Sequence, residues 1–393
     1  MIPEAAGALS LGIWLYLLLA RGGFWRMREP GSLARVDECV DDLPHVVAVV
    51  PARNEAAGVG AAVASLAAQR FAGEFRIVLV DDASDDGTAE AARAAAPGDV
   101  LRVIAASPLP TGWTGKMWAV SEGIRAAGDP EYLLFTDADI VHPPENVKDL
   151  LARARSGGYD LVSYMVRLHC RSVAEQALIP AFVFFFFMLY PPGQETKGAA
   201  GGCMLIRRTA LERIGGMARI RAEVIDDCAL ARAVKQSGGK VWLGLSRATR
   251  SVREYRTFGE IGSMIARTAF TQLGYSVWIL AGTVAGLVVT YLVPPALTLF
   301  APDSAGRGMG AAAWLLMTAA YWPSVRYYGC AWFWAPLLPC VAAFYLGATV
   351  WSAVTYWTGR GGMWKGRAAA VGHLQSKSDQ AASCERPPPD GCG

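Results

Sequence analysis

Three acidic clusters carry the chemistry open to this chain: Asp81-Asp82 with Asp85-Asp86 close behind, Asp137-Ala138-Asp139, and Asp226-Asp227. Carboxylates two residues apart in an extended chain point to the same side. Asp137 and Asp139 therefore suit a hard divalent cation that keeps positions open for phosphate oxygens. Each cluster also has a plainer reading. The stretch from Asp81 to Thr88 can be an Asp-rich turn that caps a helix starting near Thr88, and Asp226-Asp227 can be acid at a helix N-terminus. His142 follows the second cluster, but the two aspartates suffice without it, and His45, His169 and His373 have no companions in the sequence. Arg207-Arg208 reads either as a phosphate contact or as a solvated pair flanking a helix.

The elements that must position these clusters alternate. Residues 46–50 form a β-branched run ended by Pro51, 76–80 a second run closed by Asp81-Asp82, and 101–104 and 132–136 repeat the pattern. Between them 56–69, 88–96 and 147–155 have helical composition, so the spacing predicts a parallel sheet with crossover helices. Ligands gather at the carboxyl ends of such strands, where the first two acidic clusters stand.

Common nucleotide motifs fail. No G-x-G-x-x-G follows a strand, which removes the main support for a dinucleotide-binding oxidoreductase. Gly115-Lys116 is like the end of a P-loop, but Pro110 occupies the leading glycine position and Met117 replaces the Ser or Thr. Composition excludes more. The 393 residues carry 37 Lys plus Arg against 34 Asp plus Glu, a net charge of +3, too balanced for a nucleic-acid surface. Hydrophobic residues make up 53% and charged residues 18%, against about 25% charged in a typical soluble domain. A lipid-embedded portion accounts for the shortfall. Eight cysteines (39, 170, 203, 228, 330, 340, 384 and 392) form no CxxC and no zinc spacing. They are read as free thiols of a protein whose main domain faces the cytosol.

The acidic clusters, in this order and spacing, resemble the family 2 glycosyltransferases of GT-A fold over roughly residues 46–272. Pro51-Ala52-Arg53-Asn54-Glu55 resembles that family's first-strand loop, and 80–88 its nucleotide-binding acidic turn. Gly115-Lys116 opens its nucleotide-side helix, Asp137-Ala138-Asp139 is its metal motif, and 201–208 with Leu211 and Gly215-Gly216 is similar to its acceptor segment. Asp226-Asp227 stands where the family has its acidic pair. Leu109–Lys116, Ala266–Gln272 and Gly359–Arg367 look, more narrowly, like the hopene-associated glycosyltransferases called HpnB. Met264, Arg267 and Thr268 stand where processive members carry Gln-x-x-Arg-Trp, which favours a single transfer over polymer synthesis.

The resemblance implies an α/β, mostly parallel GT-A domain and an inverting displacement. A nucleotide-sugar, UDP-linked by family expectation, would place its base against Asp81 or Asp82 and its ribose near Pro51, Arg53 and Glu55. Lys116 and Asp137 would complete the nucleotide side, with Arg267 adding a second positive contact. Asp137 and Asp139 would hold Mg²⁺ or Mn²⁺, and Asp227, beside Asp226, would act as general base.

Apolar runs define the rest. Residues 5–20 precede Arg21, Arg26 and Arg28, the reverse of a cleaved signal peptide, and read as an anchor with its basic end in the cytoplasm. Residues 277–300, 308–325 (interrupted by Pro323) and 327–359 (broken at Pro336 and Pro339) are candidate spans. Residues 178–192 read either as a buried core helix or as an interfacial helix beside the site. The expected organisation is an anchor and linker over 1–42, the GT-A domain over 43–257, an interfacial segment and spans over 258–372, and a disordered tail over 373–393. This places the chain in the bacterial inner membrane with its catalytic domain cytosolic. The expected acceptor is a lipid hydroxyl, a hopanoid by resemblance. One rival is transfer to polyprenyl phosphate; another, from a different class, is a non-catalytic membrane scaffold.

Overall fold

The computed structural model describes residues 2–31, 43–194, 196–359, 363–364 and 367–368. Cys39, Cys384, Cys392, His373, most of the 359–367 motif after Gly359 and the tail over 373–393 lie outside them. The N-terminal helix α1 (Ile2–Leu19) precedes an α/β unit: β1 (Val46–Ala52), α2 (Ala56–Ala67), β2 (Phe75–Asp81), α3 (Thr88–Ala95), β3 (Leu101–Ala105), α4 (Gly115–Ala126), β4 (Tyr132–Thr136), β5 (Ile140–Val141), α5 (Asn146–Gly157) and β6 (Leu161–Arg167). Helix α6 (Val173–Leu189) interrupts it before β7 (Cys203–Arg207), α7 (Arg208–Arg213), α8 (Asp226–Gln236) and β8 (Val241–Ser251). The remainder is helical, α9 (Phe258–Gln272), α10 (Val277–Leu287), α11 (Val293–Phe300), α12 (Ser304–Tyr328) and α13 (Leu338–Trp357), followed by the strand pair β9 (Met363–Trp364) and β10 (Arg367–Ala368).

The main sheet has eight strands in the order β3-β2-β1-β4-β7-β6-β8-β5. The half expected from sequence is parallel: β1 pairs with β2 and β4, and β2 with β3. In the other half β6 pairs parallel with β8, so six of the eight strands share one direction, as the expected mostly parallel sheet requires. Strand β7 runs antiparallel to both β4 and β6, and β5 runs antiparallel to β8, so the sheet is mixed. All seven residues of β1 are buried, as a strand covered on both faces must be. Val46, Ala48 and Val50 face α2 and α5, while Val47 and Val49 face α4 and α8. Helix α4 approaches closely enough that a β-carbon at Gly123 would lie 2.4 Å from Val49 Cγ1. Strand order reverses between β1 and β4, and crevices for ligands form at such a switch.

A separate apolar cluster joins α1, α6, α9, α12 and α13. Of the two readings of 178–192, burial is the one found, in a cluster that joins the helical bundle to Met165 of β6 and Leu243 and Leu245 of β8: Ile179, Val183 and Phe184 have no exposed surface. Ser172 and Glu175 form a capping box that starts α6. Among the described residues two helical stretches are long and apolar enough to cross a membrane, Val277–Phe300 and Leu338–Trp357. A π turn at Val288–Leu292, just ahead of Pro294 and Pro295, interrupts the first. Prolines cannot donate to the helix ladder, and the carbonyls at this irregularity find side chains instead. Ser10 Oγ donates to Val289 O (2.6 Å) and Trp14 Nε1 to Thr290 O (2.9 Å). Pro323 does not break the second candidate run, since α12 continues through it for 25 residues. The third run is broken as expected, with a 3-10 turn at Trp332–Trp334 before α13.

Candidate active site

The Pro51–Glu55 loop and the acidic turn after β2 are tied together backbone to side chain. Asn54 N–H donates to Ser84 Oγ (3.0 Å), Asp85 N–H to Asn54 Oδ1 (3.1 Å), and Glu55 N–H to Thr88 Oγ1 (2.8 Å). Asn54 and Ala83 sit at φ +51° and +53°, a left-handed region that costs alanine about 1 kcal/mol and that this network holds. The capping reading of the turn belongs to Asp86. Its carboxylate accepts N–H bonds from Ala56 (3.0 Å) and Thr88 (3.1 Å), serving the starts of both α2 and α3. Asp81 accepts from the Ser84 amide (3.3 Å), and Asp82 is buried with Arg53 Nη1 at 3.6 Å from its carboxylate.

Asp137 and Asp139 follow β4 directly. Lys116, in the first turn of α4, places Nζ 2.9 Å from Asp137 Oδ1 and 3.1 Å from Asp226 Oδ2. Thr114 caps that helix by accepting the Met117 N–H (3.3 Å), which fixes the turn bearing Lys116. Burial opposes the lysine charge, but Asp137 and Asp226 outweigh it and hold the ammonium protonated beyond its ordinary range. Pro51, Lys116, Asp137, Gly201 and Asp226 line one small cleft, so residues from β1, α4, β4 and α8 meet there.

Asp139 is nearly buried, and burial followed by the charge of Asp137 pushes its carboxyl up. Ser251 Oγ donates to Asp139 Oδ2 (2.5 Å), and Arg253 Nε stands 3.5 Å from the same oxygen. Arg253 also pairs with Glu55 through Nη2. Sequence reading missed Arg253 and Ser251. They reach Asp139 only because β5 pairs with β8, Ile140 opposite Ser251, and no local motif around Arg253 announces that. Glu55, expected beside a ribose, pairs with Arg253.

Among the described residues no cluster of three or more His, Cys, Asp or Glu could hold a metal ion. The two carboxylates nonetheless fit a hard cation that takes only one or two protein oxygens and completes its shell with water and phosphate. The mutual repulsion that raises Asp139 is what such a cation would relieve. His142 is no part of this. It is buried, hydrogen-bonded to Thr136 Oγ1 (2.9 Å) and Asn146 Nδ2 (3.0 Å), and burial lowers its pKa to about 3.

Asp226 and Asp227 open α8. Asp227 accepts N–H bonds from Gly201 (2.8 Å, to Oδ2) and Cys228 (2.7 Å, to Oδ1). Burial, then the neighbouring charge of Asp226, raises its carboxyl to about 6, against the pull of Lys116 and the two amides. Gly201 approaches closely, since a β-carbon there would lie 3.3 Å from Asp227 Oδ2 and the carboxylate would have to shift slightly.

Arg267, expected as a second positive contact to the nucleotide, is exposed on α9 and makes no ion pair among the described residues. His169 has a companion, Glu175 Oε1 at 2.8 Å, and His45 stands 3.8 Å from Glu74. Arg207 stacks over Tyr132 at 5.4 Å and Arg208 pairs with Glu212 at 2.8 Å, so both arginines of that pair are engaged within the protein. Cys170 and Cys330 are free thiols as expected, with their sulfurs 3.6 Å apart.

Comparison with known proteins bears on this geometry. Residues 47–215, which hold β1, the acidic turn, Lys116 and the Asp137-Ala138-Asp139 motif, match the family described as Glycosyl transferase family 2. Over that segment the chain is similar to family 2 glycosyltransferases. Two curated relatives are named undecaprenyl-phosphate 4-deoxy-4-formamido-L-arabinose transferase. That of Pectobacterium atrosepticum is 36% identical over 126 residues, 31% of this chain and 37% of its own length. That of Pseudomonas paraeruginosa is 35% identical over 120 residues, 30% of this chain and 34% of its own. The chain thus matches little more than a third of either relative. Among solved structures, a mannosyltransferase from Pyrobaculum calidifontis in complex with GDP-Man and Mn²⁺ superposes with a TM-score of 0.57 at 17% identity, over 89% of this chain and 98% of that one. At that identity the likeness shows a shared GT-A-like fold.

Proposed function

We propose that this chain transfers a sugar from a nucleotide-sugar to a polyprenyl phosphate at a membrane surface, aided by Mg²⁺ or Mn²⁺. The observation that carries the reading is the bridge from Asp137 through Lys116 to Asp226. It sets a phosphate-facing carboxylate and cation within a few ångströms of the acidic pair at α8. The acceptor class is supported by the relatives named for undecaprenyl phosphate.

In this account the nucleotide lies over the Pro51–Glu55 loop and the Asp81-Asp82 turn, with its diphosphate toward Lys116. Asp137 and Asp139 would hold the divalent ion, which when bound neutralises charge on the departing nucleoside diphosphate. Arg253 and Ser251 hold the Asp139 carboxylate in place. An acceptor phosphate is already ionised at neutral pH, so it needs no base to attack the anomeric carbon, and a single displacement inverts that centre. The helical bundle supplies the membrane contact. Helices α10–α11 and α13 would span, and α1 would anchor the chain with Arg21 at the cytosolic side. Trp278, Trp332, Trp351 and Trp357 are exposed on or beside these helices, as side chains of the membrane interface are. The organisation proposed is an anchor over 1–42, the glycosyltransferase domain over 43–257 and the membrane segment over 258–372, in the inner membrane with the site cytosolic.

One observation favours a second reading, a lipid hydroxyl acceptor such as a hopanoid. A buried Asp227 with a pKa near 6 is suited to taking a proton from a hydroxyl, help worth about 10²–10⁴-fold. The test compares wild type and Asp227→Asn with farnesyl phosphate and with farnesol across a panel of nucleotide-sugars. The phosphate reading expects most activity to survive Asp227→Asn on farnesyl phosphate; the hydroxyl reading expects a loss of about 10²–10⁴-fold on farnesol. Transfer to neither acceptor, by protein shown to bind nucleotide, would contradict both.

A further inference from the structure

One polar pair outside the cleft stands at its helical wall. Tyr190 directly follows α6, and Gln272, the last residue of α9, donates from Nε2 to Tyr190 Oη at 2.5 Å. The Tyr190 ring lies so close to Gly198 that a β-carbon there would fall 2.5 Å from it. Three residues on, Gly201 gives its N–H to Asp227 Oδ2 at 2.8 Å. The short 198–201 loop therefore meets Tyr190 at one end and Asp227 at the other, with glycine at both contacts.

Apolar helices converge on the same place. Arg21, just beyond α1, donates from Nε to Met188 O (3.0 Å) and from Nη2 to Leu189 O (3.1 Å), closing the C-terminus of α6. Leu189 is 50% exposed, and Val277 and Trp278 at the start of α10 are 53% and 87% exposed. Exposed apolar residues thus adjoin this pair in the chain, Leu189 next to Tyr190 and Val277 five residues after Gln272, and the Tyr190 hydroxyl lies within reach of the Asp227 charge. Burial, with Cys228 nearby, raises the Tyr190 phenol to about 12, so it remains a neutral donor at any working pH.

We propose that Tyr190 and Gln272 hold the head-group oxygen of a lipid acceptor beside Asp227, with the lipid chain along the exposed ends of α6 and α10. The nucleotide would approach from the opposite side, where Lys116 and Asp137 lie. This rests on the lipid-acceptor reading above and names the residues that select the acceptor. Phosphate and hydroxyl head groups both offer this pair an accepting oxygen, and the two probes below separate them.

The test uses the full chain in detergent, titrated with farnesyl phosphate and with farnesol, for wild type, Tyr190→Phe and Gln272→Leu. UDP and GDP binding with Mn²⁺ is measured on the same samples. Each variant is expected to bind the preferred lipid about tenfold more weakly, the loss of one hydrogen bond, while nucleotide affinity stays within about twofold. Binding of farnesyl phosphate alone assigns a phosphate head group, and of farnesol alone a hydroxyl. Unchanged lipid affinity in both variants would overturn the proposal, as would parallel loss of lipid and nucleotide binding, which would make the pair structural. A wild type that binds nucleotide but neither lipid would instead fail the acceptor reading beneath it, and this proposal with it.

Discussion

The ammonium of Lys116 lies 2.9 Å from Asp137 and, on its other side, 3.1 Å from Asp226. One cation thus joins the turn after β4 to the start of α8, two of the three places where the sequence put its carboxylates. Replacing it by an uncharged side chain leaves Asp137 and Asp226 without their shared partner. Lys116→Met should lower stability by about 1–2 kcal/mol, toward the small end for charged hydrogen bonds because Asp137 is 37% exposed. A thermal melt checks this, and adding Asp226→Asn should recover part of the loss.

Asp227 gives a pH signature with a definite sign. Its carboxyl titrates near 6 in the folded chain against 3.8 ordinarily, so the folded state binds the proton more tightly than the unfolded one. Stability contributed by this group therefore falls as pH rises from about 4 to about 6. Asp227→Asn should raise the melting temperature at pH 7.5, and the gain should shrink toward zero as pH falls through that window. Melts across pH 4–8 test it; a variant less stable than wild type at pH 7.5 would contradict the buried, raised carboxylate.

The parallel half of the sheet and the positions of Asp137, Asp139, Asp226 and Asp227 were legible, because strand runs ending in acid are local patterns. The remainder depends on distant pairings. Strand β7 runs against β4 and β6 even though α6 separates it from β6 in the chain, a connection that more often serves parallel strands. Arg253 matters because β5 pairs with β8. Neither fact is written near the residues concerned. Membrane-like segments were legible as apolar runs, yet which of them break was not: Pro323 passes through α12 undisturbed, whereas Pro294 and Pro295 follow a π turn whose carbonyls Ser10 and Trp14 satisfy from α1.

Arg253 links Glu55 of the first loop to Asp139 of the metal motif. Removing it alone leaves two acidic groups facing each other in a half-buried site. Arg253→Gln should cost about 1–3 kcal/mol, less than for a fully buried pair because Arg253 is 34% exposed. Glu55→Gln in the same chain should restore much of it, and the double-mutant cycle reads the coupling. Additive effects would show that the pair does not hold the loop.

Glu175 is buried and accepts N–H bonds from Arg171 (2.8 Å), Ser172 (2.8 Å) and Tyr255 (2.7 Å), tying the start of α6 to the segment leading into α9. Burial alone would raise its pKa, but the Tyr255 and Arg171 amides and His169 hold it near 2. Its contribution is then present above the ordinary 4.5 and is lost as pH falls from about 4.5 to 2. Glu175→Gln should lower the melting temperature at pH 7 and flatten its fall over that acid range.

Nucleotide binding tests the central claim most directly. Detergent-purified protein would be titrated with UDP and GDP, with and without Mn²⁺, in wild type and Asp139→Ala. The account predicts binding of one nucleotide that requires Mn²⁺ and disappears in Asp139→Ala, with the melting profile of the variant showing a folded chain. Failure of folded wild type to bind either nucleotide would contradict it.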